Sequence, residues 1–325
     1  MKFPIDLVYM WVDGNDPVWQ QKKQQYNPAI TAETVQTAGE ARWRDNDELL
    51  YSLRSVEKNA PWINHIYIIT DGQCPRWLDT SNPKVTIVDH SEILPKEALP
   101  IFNSQAIESC IHKIKGLSEH FIVGNDDTLF VQPISPEHFF REDGRVIVRL
   151  TRFNRAKALR RGEYRMTIRR MQDLVNETFG ELIELAPHHN FDAYLKSDYA
   201  HCVDTFYSEA WAQTARNRFR SSEDMQRAFI SYYMIVMGHA EARKVGRYNQ
   251  INGFWNALRA TFTQRFATDS RCINLNSDNY DYALSKYNPL MICANDNEKA
   301  TNDDGRRMSL FLASLFPEPS SFEKL

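Results

Sequence analysis

The stretch IDLVYMWVDGNDP, from Ile5 to Pro17, carries a β-prone and mostly apolar run straight into a polar turn with two aspartates. Apolar side chains at successive positions, rather than alternate ones, predict a strand covered on both faces. The same reading applies to HIYIIT (His65–Thr70), VTIV (Val85–Val88) and FIV (Phe121–Val123). Helical patterns lie between these runs. DNDELLYSLRSVEKNAP, from Asp45, offers an Asp/Asn cap, apolar Leu49, Leu50, Leu53 and Val56, and a stop at Pro61. NSQAIESCIHKIKG, from Asn103, predicts a helix capped by Ser104 and ended by Gly116. Strands alternating with helices predict an α/β fold of βαβ units around a twisted, largely parallel sheet.

Each predicted strand ends in polar groups: Asp13-Gly14-Asn15-Asp16, Asp71-Gly72, Asp89-His90 and Asn125-Asp126-Asp127. Ligands of open α/β sheets sit outside the carboxyl ends of the strands, so these aspartates point to a cation-assisted site for a phosphorylated ligand. Asp and Asn are also good turn formers, which explains any single cluster equally well. Asn125-Asp126-Asp127 follows its apolar run with no glycine turn behind it, and there function is the better reading.

The 325 residues carry 39 Lys+Arg against 42 Asp+Glu, a net charge of −3, which gives no general signal for nucleic acid. With 42% hydrophobic and 25% charged residues, the chain reads as globular rather than disordered. No apolar run approaches the about 18 residues that span a bilayer, and no signal peptide opens the chain, so a cytoplasmic location is expected. Cys74, Cys110, Cys202, Cys272 and Cys293 are scattered, without a C-x-x-C pair, and are expected to be reduced thiols.

From Arg141 to Arg170 the composition shifts to ten Arg and one Lys against Glu142, Asp143 and Glu163. A solvated face is the ordinary meaning of such a run. Arginine also suits bidentate contact with phosphate, so an anionic acceptor or a peripheral membrane surface is the sharper expectation. The second half reads as more helical. A helix start is expected at Ser221-Ser222-Glu223-Asp224, with Phe229, Tyr232, Tyr233, Val236 and Met237 as its apolar face, and a last helix from Asp304 to Phe316. His201, in SDYAHCVD, reads on spacing alone as a packed histidine.

Taken together, these motifs resemble the Stealth family of hexose-1-phosphate transferases of bacterial polysaccharide synthesis, which is related to the catalytic subunit of N-acetylglucosamine-1-phosphotransferase. Four blocks carry the resemblance: IDLVYMWVDGNDP; the run from Arg42 to Phe130, with RDNDELLYSLRSVEKNAPWINHIYIITDGQ and FIVGNDDTLF; the stretch from His201 into RFRSSEDMQRAF; and CANDNEKATNDDG with the helix and FPEPSSFE behind it. One departure is Gly124, where the family usually has Leu before Asn-Asp-Asp. Another is Cys202-Val203 after His201, in place of Met-Pro or Ala-Pro.

The resemblance implies a Rossmann-like, glycosyltransferase-A-like fold with helices on both faces of its sheet and a more helical C-terminal part completing the site. The expected division is 1–140 for the nucleotide-sugar half, 141–200 for an Arg-rich insertion and 201–325 for the remaining motifs. It implies transfer of sugar-1-phosphate, N-acetylhexosamine-1-phosphate being the expected group, from a UDP-sugar to a hydroxyl of a polysaccharide or lipid-linked acceptor, with release of UMP. A divalent cation, Mg²⁺ or Mn²⁺, would be held by Asp126, Asp127 and Asp296. Asp127, His201, Arg220 and Asp296 are the implied catalytic residues, His201 as base or phosphate donor and Arg220 as phosphoryl clamp. Donor contacts are expected from Trp11, Asp13, Gly14 and Asp16, and further from Asp45, Asn46, Arg54, Asn103 and Ser104, with Glu108 in the same helix. The competing readings are a metal-dependent glycosyltransferase that releases UDP, a non-catalytic carbohydrate- or nucleotide-binding module, and a hydrolase of the donor.

Overall fold

The structure, a computed structural model, describes residues 1–26, 43–158, 163–188, 190–245 and 268–324. Its main sheet has the order β3 (Val85–Asp89), β2 (Ile66–Thr70), β1 (Ile5–Met10), β4 (His120–Asn125) and β8 (Asp192–Leu195). The first four are parallel, in a register that sets Leu7 beside Ile66 and Ile122, and β8 closes the edge antiparallel to β4. Every residue of β2 and all of β1 but Met10 are buried, as expected of strands covered on both faces.

The four predicted strands are present, each starting or ending a residue or two differently. Helix α1 spans Pro17–Gln24 and α2 spans Glu48–Asn59, whose apolar positions fall in the core as the pattern predicts. Helix α3 is shorter than expected: it covers Ser104–Glu108, and its cap is Asn103, which accepts a hydrogen bond from the Gln105 amide. The expected helix start at Ser221 is displaced to Ala228 (α7, Ala228–Val236). In the loop before it, the Asp224 carboxylate accepts from Asn103, Asn217 and the Ser221 amide.

The C-terminal part holds helices α4 (Glu163–Phe179), α5 (Lys196–Thr205), α6 (Ser208–Thr214), α8 (Tyr280–Tyr287) and α9 (Asn302–Leu315). It also holds strands that the helical reading did not anticipate. A second sheet has the order β10 (Thr268–Asn274), β11 (Pro289–Asn295) and β5 (Thr128–Phe130). A third has the order β7 (Ala186–Pro187), β6 (Val146–Thr151) and β9 (Ala240–Lys244). Buried Arg149 of β6 joins these two sheets by an ion pair of 2.7 Å to Asp269 of β10. Burial alone would raise the Asp269 pKa; Arg149, with His138 and His188 beside it, holds it far below the usual carboxylate range instead.

β5 has only three residues, and both its edges are occupied. On one side it runs antiparallel to β11, with Thr128 opposite Cys293. On the other, polar side chains of α2 act in place of a strand. Ser52 Oγ donates to the Thr128 carbonyl (2.6 Å), Ser55 Oγ accepts from the Phe130 amide (3.0 Å), and Asn59 Nδ2 donates to the Phe130 carbonyl (2.5 Å). Gly124, the departure from the family pattern, also has a packing reason. A Cβ there would stand 2.5 Å from the Phe191 ring, which lies over it and stacks on Phe130.

Asn59→Ala leaves the buried Phe130 carbonyl without its partner, so we expect it to lower unfolding free energy by about 1–3 kcal/mol. Urea titration reads this directly; an unchanged midpoint and slope would show that the α2 side chains do not hold β5.

Candidate active site

The carboxyl ends of β1, β4 and β11 open into a cleft of about 810 Å³. The chain passes from β4 in the main sheet to β5 in the second through Asp126 and Asp127 alone. These two carboxylates therefore stand at the seam of the sheets. Antiparallel pairing of β5 with β11 brings the end of β11 alongside: the Ala294 amide donates to the Asp127 carbonyl (2.8 Å), and Asp296 follows two residues on. Asp126, Asp127 and Asp296 all line the cleft, together with Trp11, Asn103, Ser104 and Arg220.

The electrostatics of this wall are unusual. Burial pushes the Asp126 carboxyl well above its ordinary range, and Asp127, Glu48 and Asp45 add repulsion. Burial likewise raises Asp127 to about 6, Asp45 to about 6 and Glu48 to about 8. Asp127 Oδ2 accepts from the Cys293 thiol at 3.1 Å, while Oδ1 is buried with no hydrogen-bond partner among the described residues. Crowded, desolvated carboxylates with an open oxygen are what a hard divalent cation binds. Among the described residues no three His, Cys, Asp or Glu side chains form a cage of their own. That suits Mg²⁺, which commonly takes one or two protein carboxylates and completes its shell with substrate phosphates and water. The donor set fits the cation.

The remaining expected site residues divide by what holds them. Asp296 lines the cleft, but Arg44 binds both its oxygens, Nε to Oδ2 and Nη2 to Oδ1, each at 2.8 Å. Its pKa is raised by burial, against the pull of Arg44. Arg220 donates to Ser104 Oγ at the start of α3. Asn103 is spent on structure: besides capping α3, its amide donates to Asp224 and to the carbonyls of Asn217 and Phe219, fixing the loop that carries Arg220. Trp11 donates from Nε1 to Asp45 Oδ2 (3.1 Å), so Asp45 orients a cleft residue without lining the cleft itself. Asn46 does the same for Glu48, meeting its two oxygens at 2.6 and 2.7 Å.

Asp13, Gly14 and Asp16 build the turn behind Trp11 and do not line the cleft. Asp13 Oδ1 accepts from the Asn15 amide and Asp16 Oδ1 from the Val18 amide, capping α1. Gly14 passes so close to the Trp43 carbonyl that a Cβ would lie 1.8 Å from it. Two expected residues lie elsewhere. Arg54 is bound to both oxygens of Glu323 (2.8 and 2.7 Å) and to the Phe316 carbonyl, tying α2 to the C-terminal segment. His201 is exposed on α5, bonds Thr205 at 3.3 Å and packs beside Phe206 and Tyr233, outside the cleft lining. Glu108 is buried, 3.9 Å from Arg227.

Sequence reading missed Trp43, Arg44 and Glu48, which line the cleft, as well as Arg152, Tyr164 and Arg165, whereas His90, of the strand-end pair Asp89-His90, does line it. Trp43-Arg44 stands directly before Asp45, which was read as a helix cap although Asp47 holds that place, and Glu48 had the ordinary look of a first-turn acid. No spacing rule distinguishes either. All five cysteines are free thiols. No helix among the described residues is long and apolar enough to cross a membrane.

Family models match the description of Stealth conserved region 1 over residues 3–31, region 2 over 42–148 and region 3 over 201–237. Exopolysaccharide phosphotransferase SCO6023 of Streptomyces coelicolor is 35% identical over 338 residues, covering 100% of this chain and 53% of its own length. Capsular polysaccharide phosphotransferase LcbA of Aeromonas hydrophila is 37% identical over 73% of this chain and 68% of its own. Exopolysaccharide phosphotransferase cps2G of Lactiplantibacillus plantarum is 34% identical over 74% of this chain and 78% of its own. Among solved structures, the galactosyltransferase LgtC with donor and acceptor sugar analogs aligns over 97% of this chain and 98% of its own, at 10% identity and a TM-score of 0.43. The fold and the carboxylate-lined cleft define an α/β protein with its site at the strand ends. The chain belongs to the Stealth family. It spans about half the length of the Streptomyces relative.

Glu48 yields a test of these electrostatics. Its carboxyl has an ordinary value of 4.5 and is raised to about 8 by burial, so the unfolded chain releases this proton first. The group therefore favours folding below about pH 4.5 and loses that contribution as pH rises towards 8. Without divalent cations, we expect Glu48→Gln to flatten the decline in thermal midpoint between pH 5 and 8. An identical slope in both proteins would mean that Glu48 ionises normally.

Proposed function

We propose that the chain transfers sugar-1-phosphate from a UDP-sugar to a hydroxyl of a polysaccharide acceptor, forming a phosphodiester and releasing UMP. The observation that carries this reading is the buried Asp126–Asp127 pair, with its unpartnered Oδ1, in one cleft with Arg220. The names of the curated relatives, exopolysaccharide and capsular polysaccharide phosphotransferases, support it. N-acetylhexosamine-1-phosphate is the group we assign, and a lipid-linked oligosaccharide belongs to the same acceptor class.

In the reaction, the acceptor hydroxyl oxygen attacks the β-phosphorus and gives up its proton to solvent, the bond from that phosphorus to the bridging oxygen breaks, and UMP leaves with the bridge. The sugar's anomeric bond stays intact. Such transfers ask a protein mainly for positioning and charge neutralisation. Arg220, steadied by Ser104, would clamp the phosphoryl oxygens. Trp11, at the end of β1 and fixed by Asp45, would face the nucleoside. Asp126 and Asp127 would hold a Mg²⁺ or Mn²⁺ ion, which supplies positive charge to the pyrophosphate when bound. Asp296, engaged by Arg44, would set the position of the β11 end rather than ligate the ion. His201 has no place in this scheme, since it stands outside the cleft.

We expect Asp127→Asn and Arg220→Lys each to lower kcat on the order of a hundredfold or more, with folding retained. His201→Ala should keep most of its turnover. A hundredfold loss in the histidine variant would return it to the catalytic set.

Product analysis tests the reaction itself. With UDP-N-acetylhexosamine, Mg²⁺ or Mn²⁺ and an acceptor glycan, UMP should accumulate only when acceptor is present. Acceptor-dependent UDP would mean transfer of the sugar alone, and the phosphotransferase reading would fall.

A further inference from the structure

Two consecutive residues of β11 grip Asp127. The Ala294 amide donates to its carbonyl at 2.8 Å, and the Cys293 thiol donates to its Oδ2 at 3.1 Å. Antiparallel pairing sets Cys293 directly opposite Thr128, the residue after Asp127, so the thiol reaches the carboxylate from the neighbouring strand. Cys293 itself is buried. The Asp127 amide in turn donates to Asp126 Oδ1 at 3.2 Å, which passes the constraint on to the second carboxylate of the turn. Asp127 Oδ1 is left without a hydrogen-bond partner among the described residues, on a side chain that lines the cleft. One oxygen is held and the other is open.

Asp296, in the same cleft, is held in a contrasting way. Arg44 binds both its oxygens, each at 2.8 Å, and brings a full positive charge with them. A carboxylate paired like that has little left to offer a cation. A thiol is a weak and uncharged donor, so it fixes a carboxylate without neutralising it. The last torsion of an aspartate is broad and two-fold, and a single bond to one oxygen therefore decides where the other points. No other side chain among the described residues bonds the Asp127 carboxylate.

We propose that Cys293 is a positioning residue of the cation site: its thiol turns Asp127 so that Oδ1 is presented to the divalent ion, while the carboxylate keeps its charge. This rests on the reading of Asp127 as a cation ligand. Cys293 acts through Asp127 and touches neither the ion nor the substrate. Its loss frees the carboxylate to rotate, and the ion must then bind a ligand that is no longer aimed at it.

The probe is Mn²⁺ alone, titrated into the full chain and followed by the electron paramagnetic resonance signal of the free ion. The titration is run with a reductant, because Cys272 of β10 stands directly opposite Cys293. Partners of this kind typically contribute about tenfold to a hundredfold in metal affinity, so Cys293→Ala and Cys293→Val should each weaken Mn²⁺ binding about tenfold or more, and Cys293→Ser, which keeps a donor, should stay within about threefold of the wild type. Ala is nearly the size of Ser, and Val is larger than Cys. A loss shared by Ala and Val but spared in Ser thus follows the donor and not the volume. Cys272→Ala removes a thiol from the same sheet and should bind as the wild type does. Circular dichroism checks each fold, and if either non-donor variant fails to fold, the other carries the comparison. Wild-type affinity in the Ala and Val variants would overturn the proposal, as would equal losses in Ser and Ala or in Cys272→Ala. If Asp127→Asn binds Mn²⁺ as tightly as the wild type, the cation reading itself fails. In turnover, the Mn²⁺ concentration giving half the maximal rate should shift in the same order, with the acceptor KM unchanged. Mn²⁺ binding that follows this order in a chain that yields no UMP would sink the transferase reading and leave the role of Cys293 standing.

Discussion

Everything near the cleft depends on the pairing of a three-residue strand. β5 is too short to hold its place by its own ladder, so it is fastened from both sides, by β11 and by the Ser52, Ser55 and Asn59 side chains of α2. Releasing either side would free the Asp126–Asp127 turn that precedes it. The same pairing sets where β11 ends, and therefore where Asp296 stands relative to Asp127. Three distant parts of the chain (the residues of α2, the Asn-Asp-Asp turn and the C-terminal Asn-Asp-Asn) become one site through a handful of hydrogen bonds.

Around that turn the protein accepts an electrostatic burden. Asp45, Glu48, Asp126 and Asp127 all have raised pKa values, with burial as the largest cause in each. Arg44 relieves Asp296 but reaches none of the other four by a hydrogen bond in the described residues. Such groups are held apart from compensating charge only where something else can supply it, which is the ordinary signature of functional carboxylates. Arginines line the same cleft, among them Arg44, Arg152, Arg165 and Arg220.

Much of this was legible in advance. The apolar runs of β1 to β4 and the carboxylates at their ends were readable because parallel strands need apolar residues on both faces and because ligands gather at their carboxyl ends. The helical face of α2 was legible too, but not the purpose of Ser52, Ser55 and Asn59, which look like solvent-facing residues until β5 is in place. Strand β11 was obscured because a short apolar run does not separate strand from helix by periodicity, and β9 and β10 because their sequences, AEARK and TDSRCIN, are largely polar. The roles that failed to converge share a physical reason. Arg54 and His201 were assigned by likeness of motif, and a motif does not reveal the salt bridge to Glu323 or the exposure of α5. Asn103 was expected as a ligand contact; it lines the cleft, and its side-chain amide is engaged by Asp224 and the carbonyls of Asn217 and Phe219. Arg44 was missed because ion pairing with a residue 252 positions away leaves no local trace.

The notch at Gly124 lies where the end of β4 meets the residue that precedes β8. Phe191 occupies the space a side chain at 124 would take and stacks at 4.0 Å on Phe130, just beyond the Asp126–Asp127 turn. The ring and the missing side chain are therefore alternative fillings of one volume. A lineage in which position 124 bears Leu cannot keep Phe at 191 in this pose, and one that trims Phe191 opens a void beneath the Asp126–Asp127 turn unless 124 grows. Substitutions at the two sites should travel together through the family as a correlated pair, recording in descent a packing constraint that neither position reveals by itself.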